Sequence, residues 1–443
     1  MVRLLDGIRV FELGIAIASP NAGRHLAHHG AEVFKVESPT SPDIVRLIGS
    51  AWLHDDEDLA PAWPDSSPYV PEMNANKRSV ALDLKHPEGR EAARRLLAGC
   101  DVFLANYAAR ALAELGLDYE SVSALHPDIV YVQLPAFGSD AAHPYYPFVA
   151  WGPNQAPLVG IDDLTGHAGR EPAGIATIAP PDYLSSLHGV FAVVAGLEHR
   201  DRTGEGIHID ISQFETTISL LLGPFAMDHA LSGRAQSRIG NRSLWYAPEG
   251  VYPCEGEERW IAISVADDIA WAGLASLLPA EIAGDERFAT NEGRMAALDD
   301  LDAALAGWTA GFDNVDLAAR LQGVGVAAHE VATNEDLLHD AHIMTSGIYQ
   351  ALPSGRFTRD LFTNSAIRMS ANPGEWELAA PSSGQHTVEV LTKVVGMSED
   401  EVQHLVDTGA AYTMDHPELR VDRPYEQWLH VLFPRDAPDS RDL

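Results

Sequence analysis

The chain has 443 residues, 46% hydrophobic and 21% charged, an ordinary globular composition with length enough for two or three domains. A formal net charge of -34 excludes nucleic acid as a partner, because neutralising phosphates takes Lys and Arg. The two cysteines, Cys100 and Cys254, lie far apart and support neither a disulfide framework nor a cysteine-based zinc site.

No apolar run approaches the roughly 20 residues of a membrane span. The start, MVRLLDGIRVFELG, enters a strand pattern directly and lacks a signal-peptide core. A cytoplasmic protein without membrane partners is therefore expected.

Strand and helix signals then alternate in the manner of a parallel α/β fold. IRVFEL (8–13) reads as a buried strand, followed by a helix from Ser19 or Asn21 to Gly30 and a strand at 32–37. The Pro- and acid-rich stretch 39–73 reads as loop. Further strands are predicted at 79–84, 101–106, 129–134 and 207–212, with a helix from Pro87 to Gly99. Residues 139–181 read as irregular, and long loops in compact domains are often functional. A very apolar helix begins at Asp182, and a second spans 216–232. GVYPC (250–254) and RWIAISV (259–265) flank a turn and predict a hairpin, followed by helices at 267–278, 296–311 and 315–322. One helix, EDEVQHLVDTG, stands out near the end.

Several motifs are decoys. GVGVAA (323–328) imitates a dinucleotide-binding glycine pattern but follows a helix-like segment rather than a strand. His339 and His342 read as solvated loop rather than metal ligands. His28 and His29 end a helix, where imidazoles suit the carbonyl end. Asp182 could be a plain helix cap. Its place after ATIAPPD, at the head of a helix too apolar for the surface, makes it a catalytic candidate instead.

The order of blocks carries a resemblance over nearly the whole chain. LLDGIRVFELG, AGRHLAHHGAEVFKVE, NKRSVALDLKHPEGREAARRLL, DVFLANYAARALAELGLDYESVSALHPDIVYVQLPAFG and LEHRDRTGEGIHIDIS are similar, in this order, to class III CoA-transferases. That group includes formyl-CoA, carnitine and benzylsuccinate CoA-transferases and is related to 2-methylacyl-CoA racemase. GNRSLWYAPEGVYPCEGEERWIAISV and SEDEVQHLVDTGA resemble its later blocks.

The resemblance implies a Rossmann-like α/β large domain with a parallel sheet, a smaller α+β domain, and an interlocked homodimer. The expected division is 1–215 large domain, 216–244 linker, 245–335 small domain, and 336–443 linker and return to the large domain. It implies an acyl-CoA:carboxylate CoA-transferase with Asp182 as nucleophile, passing through an aspartyl anhydride and an aspartyl-CoA thioester. CoA and acyl-CoA enter as substrates, with a small carboxylic acid, and no metal or tightly bound cofactor is expected. CoA contacts carry over to Ile15, Ala16, Ile17, Ala18, Leu82, Lys85, Asn106, Tyr107 and Leu115.

The sequence also departs from the family pattern. Ile17 replaces a common Gln, and Ser38, Glu114 and Val149 stand at positions often basic, with Arg110 one turn before Glu114; Gly152 stands at an acidic one. Trp151 takes the place of the racemase branch's His, which disfavours that alternative because proton transfer at carbon needs two opposed groups. A degenerate subunit acting with an active paralogue is the third reading. Tyr145, Tyr146, Phe148 and Trp151 suit an apolar or aromatic acyl group, although core packing explains aromatics equally well.

Overall fold

The computed structural model of the protein describes residues 3–38, 42–46, 65, 67–175, 179–353 and 360–414. The chain forms two compact units. The first comprises Met1–Gln155, Thr177–Gly223 and Ser346–Leu443, and the second Ala156–Ala176 and Pro224–Thr345.

The first unit is built on alternating elements: β1 (Arg9–Leu13), α1 (Ala18–His28), β2 (Glu32–Glu37), α2 (Tyr69–Asn74), β3 (Lys77–Leu82), α3 (Pro87–Leu97), β4 (Val102–Ala105), α4 (Ala109–Leu115), α5 (Tyr119–Leu125) and β5 (Val130–Gln133). After α6 (Gly152–Leu158) and α7 (Ile161–Leu164), the long α8 (Pro180–Thr203) leads to β6 (Ile207–Asp210). β1 to β6 are parallel, in the order β3-β2-β1-β4-β5-β6. A short strand from the C-terminal region, Ala411–Tyr412, adds antiparallel to β3 at the edge.

The strands are nearly continuous apolar runs because helices cover both faces. Phe11, Phe34, Phe103 and Tyr131 point to one face, where Ala92, Ala93, Leu96 and Leu97 of α3 close over them. Phe103 stacks on Tyr131 at 4.5 Å. Val10, Val33, Val102 and Val130 point to the other, against Ala22 and Leu26 of α1 and Ala192, Val193 and Leu197 of α8. α8 thus buries one side and exposes Leu187, Phe191 and Val194, spaced along its other side.

Some expectations change. The part of 39–73 that the structure describes is not all loop: a 3-10 turn spans Ile44–Arg46 and α2 begins at Tyr69, because Val45, Val70 and Met73 are buried. The irregular stretch 139–181 contains α6 and α7. Asp182 is the third residue of its helix, not the first, since Pro180 and Pro181 fit a first turn that needs no N–H partners. Residues 176–178 and 415–443 lie outside the described residues.

The second unit carries an antiparallel sheet, Glu249–Pro253, Trp260–Ser264 and Ala327–Glu330 in that order, with the expected hairpin as its first two strands. Helices Asp268–Ala275, Leu298–Thr309 and Asn314–Gly323 supply Leu274, Leu301, Leu305, Leu317 and Leu321 to its core. GVGVAA is the exit from the last of these helices. Gly325 takes φ 81°, a left-handed turn that suits glycine, and the chain continues into the third strand. That strand was not predicted.

Candidate active site

The strand order reverses beside β1, which lies between β2 and β4. In open α/β sheets the crevice beyond the carboxyl ends of the strands at such a reversal is where ligands bind. A cleft of about 270 Å³ lies there. Ile15 and Ala16 after β1, Asn106 and Tyr107 after β4, and Pro135 to Gly138 after β5 line it, together with Asp182. Four elements distant in sequence therefore meet in one place.

The β1–α1 turn is held from three sides. Asn106 accepts from the Ile15 N–H at 3.0 Å and donates to the Ile15 carbonyl at 2.8 Å. Asp43 accepts the Ala16 N–H at 2.8 Å. Lys35 donates to the Gly14 carbonyl at 2.9 Å and pairs with Asp43 at 2.7 Å. Burial pushes the Lys35 ammonium down, but Asp43, Glu12 and Glu37 outweigh it and hold the group above its ordinary value. These clamps keep Ala16 at φ 57°, a left-handed conformation that costs a non-glycine residue about 1 kcal/mol or more. A sequence without the clamps would relax there.

Asp182 is 7% exposed. The main-chain amides of Gly152, the first residue of α6, and Ala18, the first residue of α1, lie beside its carboxylate and favour its charged form. Burial pushes its pKa from 3.8 up to about 6, and the two amides pull against that shift. Among the described residues no cation pairs with it. Gly152 is sterically dictated, since a Cβ there would stand 2.2 Å from Asp182 Oδ2 and 2.5 Å from the Ala179 Cβ. Gln155, fully buried on α6, donates to Gln213 at 2.9 Å, and Gln213 donates to the Leu134 carbonyl at 2.7 Å. This ties the start of α6 to the end of β5.

Of the residues singled out in the sequence, Ile15, Ala16, Asn106, Tyr107 and Asp182 line the cleft. Ile17 caps α1 and Ala18 is its first residue. Leu82 is fully buried in the core, so it offers a ligand no side chain. Lys85 is exposed beyond β3, and Leu115 packs against the core at the end of α4. Arg110 pairs only loosely with Glu114, at 3.7 Å on the surface of α4. His28 and His29 do not serve the helix dipole as cations. Both are buried, and burial holds both below the ordinary histidine value, His28 at about 4. His28 packs 4.4 Å from the Trp376 ring and donates to Asn364. The described residues contain no cluster suited to a metal ion.

Comparison with known proteins agrees with this architecture. The profile of CoA-transferase family III matches residues 5–387. The chain belongs to CoA-transferase family III. It is 32% identical over 393 residues to a succinate–glutarate CoA-transferase of Agrobacterium fabrum, covering 88% of this chain and 95% of that protein. It is 30% identical over 404 residues to a succinyl-CoA–D-citramalate CoA-transferase of Chloroflexus aurantiacus, covering 91% and 97%. A crystal structure of a CaiB/BaiF family protein from Brucella suis superposes with a TM-score of 0.80 at 32% identity, covering 89% of this chain and all of that one. None of the described helices is long and apolar enough to cross a membrane.

Lys35, Asp43, Gly152, Gln155 and Gln213 were missed by sequence reasoning. One signal was available for Lys35: a lysine in the middle of EVFKVE, a strand otherwise read as buried, needs an internal partner. Gly152 carried none, because its role depends on how the 139–181 stretch folds back onto α8.

Proposed function

We propose that the protein is an acyl-CoA:carboxylate CoA-transferase in which Asp182 is the nucleophile. The observation that carries this reading is an enclosed carboxylate at the head of α8, with no cation partner among the described residues, lining the cleft where the strand order reverses. A carboxylate with a pKa near 6 is largely ionised at neutral pH yet poorly solvated, and so more reactive than one in water.

Asp182 attacks the thioester carbonyl, an acyl-aspartyl anhydride forms, and CoA leaves as thiolate. The thiolate attacks the Asp182 carbonyl, giving an aspartyl-CoA thioester and the free donor acid, which keeps one oxygen that began on Asp182. An acceptor carboxylate attacks that thioester and the sequence reverses. In the thiolate step the oxyanion develops on an Asp182 oxygen, beside the main-chain amides of Ala18 and Gly152 that favour negative charge there. No step needs a metal.

The thioester end of CoA is assigned to the main chain of Ile15 to Ala18, with Asn106 and Tyr107 beside it and Lys85 and Leu115 farther out. The apolar face left on α8 by Leu187, Phe191 and Val194 supports assembly into a dimer, which light scattering checks. Relatives of the chain include an alpha and a beta subunit of a succinyl-CoA–L-malate CoA-transferase, so pairing with a paralogue is an alternative outcome of that experiment. A racemase would need a second acid–base group opposed to Asp182, and the neighbouring Trp151 and Gly152 do not titrate.

The test is chemical trapping. The chain is incubated with acetyl-, succinyl- and 3-phenylpropionyl-CoA in the presence of hydroxylamine, and the Asp182 peptide is weighed. A hydroxamate at Asp182 is expected. An unmodified Asp182 with every thioester contradicts the reading.

A further inference from the structure

The side chains that line the cleft select for a class of acyl group. Phe137, Tyr146, Phe148, Val149 and Trp151 form much of its wall. Three of these side chains are open to solvent rather than packed in the core: Phe148 is 59% exposed, Val149 76% and Trp151 47%, while Phe137 is buried behind them. Phe137 in turn packs 5.3 Å from Tyr145 and 5.8 Å from Phe214, which backs the wall with further rings.

Charge makes the second constraint. Among the described residues lining the cleft, Asp182 is the one with an ionised side chain, and it is negative. A second carboxylate about 6 Å from it, at an effective dielectric of ~20, is disfavoured on the order of a hundredfold. An aryl ring buried against the wall gains roughly one to two orders of magnitude in affinity instead. Space permits it, because an apolar cavity of ~150 Å³ accommodates benzene. A cleft of about 270 Å³ therefore takes a ring with a short linker.

We propose that the acyl groups this chain transfers are monocarboxylates with an apolar chain ending in an aryl ring, and not dicarboxylates. This rests on the reading of Asp182 as the point of acyl transfer. It separates the chain from relatives named for succinate with glutarate, citramalate or malate.

The test uses thioethers, which bind but cannot acylate. The full-length wild-type chain is titrated by calorimetry with CoA, S-(3-phenylpropyl)-CoA and S-(3-carboxypropyl)-CoA. The aryl thioether is expected to bind at least tenfold tighter than CoA, and the carboxylate thioether no tighter than CoA. Equal or tighter binding of the carboxylate thioether, or no gain from the ring, overturns the proposal. In a second arm, Val149→Arg adds a cation to the wall and is expected to tighten the carboxylate thioether about tenfold. An unchanged affinity would mean that the acyl end lies elsewhere, and the proposal fails. Hydroxylamine trapping separates the two claims. Labelling of Asp182 by succinyl-CoA as fast as by 3-phenylpropionyl-CoA overturns the substrate class and leaves the nucleophile standing. Aryl-preferring binding without labelling by any thioester overturns the nucleophile and leaves the preference.

Discussion

Replacing Asp182 by Asn removes a buried charge and keeps the shape, so the effect on stability follows from the proton balance. The folded chain holds the Asp182 proton up to about pH 6, whereas an ordinary aspartate releases it near 3.8. Between those values the folded state binds more protons than the unfolded state, so stability falls as pH rises through the window. The full difference is worth about 3 kcal/mol, and roughly 1.4 kcal/mol of it falls between about pH 5 and 7.5. Asn does not titrate. It also turns an N–H toward Ala18 or Gly152, a fixed cost of about 1–3 kcal/mol that does not vary with pH. The wild-type and Asp182→Asn chains should therefore be compared by urea unfolding at several pH values. The gap between them should shift in the variant's favour by about 1–2 kcal/mol from pH 5 to 7.5. A pH-independent gap would show that Asp182 is not a desolvated carboxylate, and the argument for its reactivity would fall with it.

Three other substitutions probe the surroundings. Gly152→Ala places a Cβ 2.2 Å from Asp182 Oδ2, so transferase activity should fall at least a hundredfold while circular dichroism stays unchanged; retained activity would refute the packing argument. Asn106→Ala removes both hydrogen bonds to Ile15, freeing the β1–α1 turn. Its kcat/KM for acyl-CoA should drop about 10- to 100-fold in steady-state assays, with a stability loss of about 1–3 kcal/mol. His28 is held near 4 against an ordinary 6.5, so the unfolded state takes up its proton first on acidification. Stability should be lost as pH falls from about 6.5 to 4, and His28→Gln should remove up to about 3 kcal/mol of that loss in thermal or urea melts.

The sequence made the parallel sheet legible because its strands are buried on both faces and read as short apolar runs between helices. Asp182 was legible as a polar residue heading a helix too apolar for the surface, and the order of the family blocks placed Ile15, Ala16, Asn106 and Tyr107 beside it. The clamps were not legible. Lys35, Asp43 and Asn106 act on one turn from three separate segments, and no local pattern reports that pairing. α6 was hidden because its sequence, GPNQAPL, has poor helix propensity, with two prolines and a glycine. The strand Ala327–Glu330 was hidden by its glycine-rich approach, which resembled a nucleotide motif.

The central claim is that Asp182 itself takes up and returns the acyl oxygen. Turnover of each acyl-CoA with its own acid, labelled with ¹⁸O in the carboxylate, tests it directly. The acceptor's bridging oxygen remains on Asp182 when the product thioester leaves, so the Asp182 peptide should gain 2 Da, and 4 Da after repeated cycles. Turnover that leaves the Asp182 peptide at its original mass would contradict the account.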